Sequence, residues 1–144
     1  MDKNVQLPSE SEWKIMEILW DSETPLTSSE VSKRLKKSDD MTPKMVRVLM
    51  NRLSGKGLLG YEVDGHDSRV YHYTPLRTRE ECLRDKSQQF TDCYFSGNKT
   101  NAMAALLQSF ELTDEQIEEL EKLLEESKDD KGKLSQGKSS HKKR

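Results

Sequence analysis

The chain has 144 residues with a formal net charge of −2, and 32% of its residues are hydrophobic and 35% are charged. This length suits one domain, or one small domain with an appendage, and the polar composition favours a chain that completes its core by oligomerising. Because the net charge is near neutral, any nucleic-acid binding depends on a local basic surface. The sequence has no long apolar run and no secretion signal, which predicts a cytoplasmic protein without membrane insertion.

The first two predicted helices both begin with a capping box, in which a Ser or Thr and a Glu three residues later satisfy the first amide groups. One box spans Ser9–Glu12, and Trp13, Met16 and Trp20 follow it at helical spacing. An apolar stripe of this kind is typical of a core, so we expect both tryptophans to pack inside the domain. The second box spans Thr27–Glu30, and a short polar segment separates its helix from the next one.

A third predicted helix has two different faces. Thr42 is a favourable N-cap, and Pro43 suits the first helical position, where no amide hydrogen is needed. The apolar residues at i, i+3, i+4 and i+7 form one face and are Val46, Leu49, Met50 and Leu53. Lys44, Arg47 and Asn51 fall on the opposite face.

The third helix and the residues after it form an acid-free segment in an otherwise acid-rich chain. No Asp or Glu lies between Met41 and Tyr61, and the basic residues there are Lys44, Arg47, Arg52 and Lys56. A surface that faces phosphate needs such a gap, because every carboxylate would repel the polyanion. Two helices joined by a short turn, the second basic on its outer face, indicate a helix-turn-helix. The alternative is an ordinary amphipathic helix with a solvated basic face.

A β-hairpin is predicted directly after this helix. Gly57 suits the helix end, residues 58–63 and 69–74 are the predicted strands, and the segment between them is rich in turn residues. Three helices followed by a hairpin describe a winged helix-turn-helix, in which Arg69 at the start of the second strand reaches backbone phosphates or a minor groove. The alternative is a plain surface hairpin. The candidate DNA-binding residues of the helix and hairpin are Thr42, Lys44, Arg47, Asn51, Arg52, Ser68 and Arg69.

Beyond Pro75 the sequence predicts three more helices, over 78–95, over 100–110 and from Thr113 onward. So short a region cannot bury its apolar faces internally, and we therefore expect them to form a homodimer interface. The predicted dimerisation residues are Leu83, Phe90, Met103, Leu106, Leu107, Phe110, Ile117, Leu120 and Leu124. The alternative is a helical bundle packed on its own winged helix.

These elements describe a mostly α chain with a small β-hairpin, in which a winged helix-turn-helix domain is followed by a helical dimerisation region. We predict a DNA-binding domain over residues 1–76 with a net charge of −1 and a dimerisation region over residues 77–127 with a net charge of −6. Residues 128–144 carry a net charge of +5 and almost no apolar side chain, which predicts a disordered basic tail.

The sequence indicates no catalytic, metal or cofactor site. Cys82 and Cys93 lie about three turns apart on one predicted helix, too far apart to bond with each other, and we expect both to be buried apolar side chains. The three histidines form no ligand-like cluster with them. No nucleophile–base pair or phosphate loop is recognisable, so we expect neither an enzyme nor a bound cofactor.

The chain resembles the penicillinase-repressor family, which includes BlaI, MecI and the copper-responsive CopY. The similar segments occur in order over about residues 6–127 and are Glu12–Met16, Trp20, Pro43–Lys44, Arg47, Leu49, Arg52–Leu53, Lys56–Gly57, Arg69–Tyr71, Tyr73–Pro75, Leu112–Thr113, Glu115, Ile117–Leu120 and Leu124. The resemblance implies a homodimeric repressor that binds double-stranded operator DNA at an inverted repeat. For the β-lactam branch, it also implies control of resistance genes and induction through cleavage by a protease partnered with a membrane sensor.

Departures from the family pattern concern specificity and control. Where the family usually has Thr, this helix has Met45 and Val48. Apolar groups that can contact thymine methyls thus replace two hydroxyls. Both residues are added to the candidate DNA-binding residues. The family's cleaved Asn-Phe pair aligns with Leu106 and Leu107, so we do not expect the usual protease to cut there. The Cys-x-Cys pairs of the copper branch are absent, which places the chain closer to BlaI and MecI.

The sequence therefore predicts a dimeric transcriptional repressor. The alternative is a winged-helix adaptor that binds protein rather than DNA. The acid-free face between Lys44 and Lys56 favours DNA.

Overall fold

The computed structural model describes the backbone of residues 6–137 and the side chains of residues 6–131. Its elements, in chain order, are α1 (Glu10–Asp21), α2 (Ser28–Leu35), α3 (Pro43–Gly55), β1 (Leu59–Val63), β2 (Tyr71–Pro75), α4 (Arg79–Phe95), α5 (Lys99–Ser109) and α6 (Asp114–Gly137). Two compact units are present, one ending at Gly97 and the other beginning at Asn98. None of the described helices has the length and apolarity needed to cross a membrane.

The predicted helix starts are confirmed by their caps. The Ser9 hydroxyl accepts a hydrogen bond from the Glu12 amide, and the Glu12 carboxylate accepts one from the Ser9 amide at 2.9 Å. Thr27 and Glu30 form the same box at α2, and Thr42 caps α3 by accepting from the Met45 amide. These caps set where each helix begins, and therefore which side chains turn inward.

One hydrophobic core joins α1, α2, α3 and the hairpin. Its buried side chains include Ile15, Met16, Leu19, Leu26, Val31, Leu35, Val46, Leu49, Met50, Leu53, Leu58, Leu59 and Tyr73. The expectation for the two tryptophans is only partly correct, because both lie at the edge of this core and are half-buried. Each indole N–H needs a polar partner: Trp13 donates to Glu17 at 3.2 Å and Trp20 donates to the Arg77 carbonyl at 2.9 Å.

The hairpin pairs β1 with β2 in antiparallel register, from Leu59 opposite Pro75 to Val63 opposite Tyr71. Leu26 adds a single bridge to Tyr73 and ties the segment before α2 to the sheet. Three helices and this hairpin form a winged helix-turn-helix, so the predicted fold class is confirmed. The second strand begins at Tyr71 rather than at Arg69, because Asp64 and Asp67 accept backbone amides and stabilise a longer loop.

The first part of α4 packs against α1. Arg79 pairs with Glu17 at 2.9 Å, Lys86 donates to the Pro8 carbonyl at 2.7 Å, and Cys82 is buried in the core. Burial raises the pKa of the Cys82 thiol. The prediction of a second buried cysteine is wrong, because Cys93 lies on the exposed part of the helix beyond these contacts. Although α4 belongs to the first compact unit, the predicted division at residue 76 stays a prediction.

Helix α6 continues ten residues beyond its predicted end, to Gly137. The structure has residues 128–137 of the predicted tail in this helix, residues 138–144 lie outside the described residues, and disorder of the tail stays a prediction. Lys, Leu and Gln in this segment favour a helix, and Lys128 lies 3.9 Å from Glu125 one turn earlier.

Candidate nucleic-acid interface

The outer face of α3 carries most of the predicted DNA-binding residues. Four buried side chains on the inner face, Val46, Leu49, Met50 and Leu53, hold the rotation of the helix about its axis. The exposed residues of α3 and its cap therefore include Thr42, Lys44, Met45, Arg47, Val48, Asn51 and Arg52. Met45 and Val48 are 49% and 40% exposed, so two apolar side chains lie between the cations. A helix face of this kind can offer both charge and apolar groups to a major groove.

The turn before α3 contains an acid that is already paired. The Asp39 carboxylate lies 2.7 Å from the Lys14 Nζ and accepts the Met41 amide at 3.1 Å. The hydrogen bond from Lys14 is the largest influence on the pKa of Asp39, which it holds below its usual value. This pairing orders the turn and offsets the charge of Asp39 next to α3.

Lys56 belongs to the acid-free segment of the sequence, but in the structure it is paired inside the fold. Its Nζ lies 2.6 Å from the Glu12 carboxylate and 3.1 Å from the Leu7 carbonyl. The Glu12 side chain is only 3% exposed. Lys56 therefore neutralises a buried acid. The acid-free segment alone could not reveal this pair, because Glu12 lies 44 residues earlier in the sequence.

The ionised form of the Glu12 carboxylate is stabilised by neighbouring residues rather than by water. Burial acts to raise the pKa of Glu12, but the hydrogen bond from Lys56 and those from Ser9 outweigh it and lower the pKa. Glu12, which completes the capping box of α1, therefore also connects α1 to the end of α3.

The wing carries Ser68 and Arg69 in its exposed loop, as the sequence predicts, but Arg69 is paired. Its Nε lies 3.1 Å and its Nη2 lies 3.2 Å from the two oxygens of Asp67. The Asp64 carboxylate lies 2.8 Å from the His72 Nε2, and this contact is the largest cause of the lowered pKa of Asp64. The wing is therefore an acid-containing loop whose guanidinium already has a carboxylate partner.

A groove between α2 and α3 was not predicted from the sequence. It has a volume of about 230 Å³ and is lined by Ser28, Ser29, Ser32, Lys33, Lys36, Pro43 and Arg47. The available sequence signal is the three-residue spacing of Lys33 on α2 and Lys36, which caps the end of that helix. Only the packing of α2 on α3 brings them next to Arg47.

The basic surface that results differs from the predicted one. Within the described part of the chain, no ion pair involves any of its five cations, which are Lys33, Lys36, Lys44, Arg47 and Arg52. We call this set the α2–α3 basic surface. Its unpaired cations can attract a polyanion without first breaking an internal salt bridge.

Comparison with known proteins identifies relatives that match almost the whole chain. The model of the family described as "Penicillinase repressor" matches residues 8–126. The chain is 30% identical to the penicillinase repressor of Bacillus licheniformis over 129 residues, covering 90% of this chain and 98% of that protein. It is 23% identical to the methicillin resistance regulatory protein MecI of Staphylococcus aureus strain N315 over 124 residues, covering 86% of this chain and 98% of that protein.

Solved structures that are similar to this chain include one from the same family. The DNA-binding domain of the repressor BlaI has 31% sequence identity and a TM-score of 0.46, and the match covers 56% of this chain and 93% of that one.

Proposed function

The chain belongs to the penicillinase repressor family, and we propose that it represses transcription as a homodimer bound to an inverted repeat in duplex operator DNA. Its relatives are named as repressors and regulators of penicillinase and methicillin resistance. Because this family comprises DNA-binding repressors, we propose that the chain is not an enzyme, and the alternative of a protein-binding adaptor is not favoured.

The observation that carries DNA binding is the outer face of α3. Lys44, Arg47 and Arg52 are exposed there with no ion-pair partner among the described residues, and no acid interrupts the helix. In a helix-turn-helix this is the helix that enters the major groove, where Arg and Asn read base edges and Lys binds phosphate. We therefore assign base contacts to Arg47 and Asn51 and to the apolar pair Met45 and Val48.

The exposure of the apolar helices supports a homodimer. Eight of the nine predicted dimerisation residues are exposed, with values from 38% to 62%, and these are Leu83, Phe90, Met103, Leu106, Leu107, Phe110, Ile117 and Leu124. Leu120 is half-buried. Each compact unit thus exposes several of these large apolar side chains, and we infer that a second copy of the chain covers them.

The proposed function is tested by selecting bound duplexes from random DNA and measuring their affinity in gel shifts. We expect an inverted repeat to be enriched. Arg47→Ala should weaken binding to the best duplex by about 1–3 kcal/mol, because a base contact is lost. Arg84→Ala is the matched control, since Arg84 is an exposed arginine on α4. Equal affinity of the two variants would contradict the assignment of α3, and failure to enrich any sequence would contradict the function itself.

A further inference from the structure

We propose that the groove between α2 and α3 is the main anchor for a DNA backbone phosphate, and that the wing contributes little to this contact. The inference deepens the proposed function and rests on it. The groove is the cavity of about 230 Å³ lined by Ser28, Ser29, Ser32, Lys33, Lys36, Pro43 and Arg47.

The lining of the groove has the chemistry of a phosphate site. Three of its seven side chains are cations, three are hydroxyls, and no carboxylate lines it. Glu30 is the only acid of α2, and its carboxylate accepts the Thr27 amide at 2.8 Å in the capping box. Cations and hydroxyl donors together are what phosphate oxygens accept from in protein–DNA complexes.

Ser32 supplies a hydroxyl to the groove. The residue as a whole is 5% exposed and lines the groove, and its hydroxyl forms no hydrogen bond within the described chain. The hydroxyl is not among the buried side-chain atoms that lack a partner, so it stays accessible from the groove and can donate a hydrogen bond to an anion or water there. Ser28 and Ser29 lie in the first turn of α2, where free amides and the helix dipole also favour a negative ligand.

The wing lacks comparable groups. Arg69 is held by both oxygens of Asp67, and this pair would have to open before the guanidinium could bind phosphate. The same hairpin contains Glu62 and Asp64, whose charges oppose the approach of a polyanion at neutral pH. The groove, by contrast, is lined by Lys33, Lys36 and Arg47, none of which forms an ion pair within the described residues.

Arg47 connects the groove to the reading of the sequence. It lines the groove and also belongs to the exposed face of α3. A phosphate held in the groove would therefore place α3 at one depth and register in the neighbouring major groove. This is a positioning role, and it explains why the cations of α2 lie next to the first turn of α3.

The test compares two double variants in α2 and the two residues after it, in the full-length protein. Lys33→Gln with Lys36→Gln removes both groove lysines, while Arg34→Gln with Lys37→Gln removes equal charge from exposed residues that do not line the groove. Affinity is measured over a salt series on a generic duplex and on the selected operator. We expect the groove variant to lower the slope of log affinity against log salt by about one to two, and the control variant to change it clearly less.

Two single variants separate the local contact from general charge. Ser32→Ala should weaken binding by about three- to tenfold with an unchanged salt slope, because one uncharged hydrogen bond is lost. Arg69→Ala should change affinity by less than about twofold, because an exposed ion pair contributes little. Circular dichroism confirms that each variant is folded.

The outcomes separate the groove from the function. Equal losses of affinity in the two double variants, or a larger loss in Arg69→Ala than in the groove variant, would overturn the groove proposal. A loss of affinity in Arg47→Ala would still support DNA binding by α3 in either case. A wild-type protein that binds no duplex would remove both. Inorganic phosphate can also be titrated into the protein and followed by NMR. If it saturates the groove while the groove variant keeps its DNA affinity, the groove binds a small anion and the proposal is overturned.

Discussion

Glu12 is a carboxylate held inside the fold by a lysine that comes 44 residues later. Its residue exposure is 2%, and Lys56 and Ser9 supply its hydrogen bonds. A buried charge is tolerated only when it is paired, because the loss of one partner leaves the other without solvation. The pair therefore makes the end of α3 and the start of α1 depend on each other.

Replacement of the lysine tests this dependence. We expect Lys56→Met to lower the free energy of unfolding by about 1–3 kcal/mol at neutral pH, because the Glu12 carboxylate loses its cation. Urea unfolding followed by tryptophan fluorescence measures the change. The double variant Glu12→Gln with Lys56→Met should recover part of the loss. Full stability of the single variant would show that the pair is dispensable.

The same pair predicts a dependence on pH. Because the folded-state pKa of Glu12 is lowered, its contribution is complete above the unfolded value of about 4.3 and is lost as the pH falls through the folded pKa. In Lys56→Met, burial becomes the dominant influence and should raise the pKa of Glu12. We therefore expect acidification below the unfolded pKa to lower the free energy of unfolding of Lys56→Met by less than it lowers that of the wild type. An equal acid-induced loss would contradict the role of Lys56.

Met45 and Val48 are expected to determine base preference rather than overall affinity. Both side chains are exposed and uncharged on the outer face of α3. Met45→Thr and Val48→Thr should therefore change which bases are enriched at one or two operator positions, while the salt slope stays the same. Repeating the DNA selection with each variant measures this. An unchanged consensus would place these residues outside the base contacts.

At the scale of elements, α5 contains the pair of residues that the family resemblance aligns with a cleaved Asn-Phe bond. Leu106 and Leu107 lie inside this helix, with exposures of 38% and 46%, and the Asn of the family's cleaved pair is absent. Helical backbone must unfold before it can enter a protease site, so exposure of these side chains alone does not create a cleavage site. We propose that the signal is a different cut nearby or a ligand at the dimer interface, or that the repressor has no inducing signal.

Mass spectrometry of the protein recovered from induced cells decides between these routes. We expect no product that ends at Leu106. A cut elsewhere within residues 98–112 would still relieve repression, because it separates α6 from the rest of the chain. Recovery of the fragment ending at Leu106 would overturn the expectation, and an intact chain that has left its operator would indicate ligand control.

At the scale of the whole molecule, dimerisation is expected to supply much of the operator affinity. Ile117→Glu with Leu124→Glu should give a folded monomer, because both side chains are exposed in the single chain and carry no core packing. Sedimentation should show the loss of the dimer, and the affinity for an inverted repeat should fall much more than that for a half-site, since tethering is lost. Glu119→Lys on the same helix is a control with an altered charge. A double variant that remains dimeric would contradict the assigned interface.

The sequence by itself determined the local elements. Helix starts at Ser9, Thr27 and Thr42 were predictable because a cap involves only residues three positions apart. The outward face of α3 was also predictable, since four apolar positions at helical spacing define the buried side. The partner of Arg69 lies two residues away, and the acids of the wing are a signal that the sequence contained.

Only the tertiary structure decided which cations are free. Lys56 belongs to the acid-free segment, yet it pairs with Glu12 because α1 and α3 pack in one core. Lys33, Lys36 and Arg47 belong to different helices and share a groove for the same reason. Caps and periodicity act over a few residues, whereas burial and charge pairing depend on which helix faces meet. The position of the DNA-facing charge is therefore a property of the packed molecule.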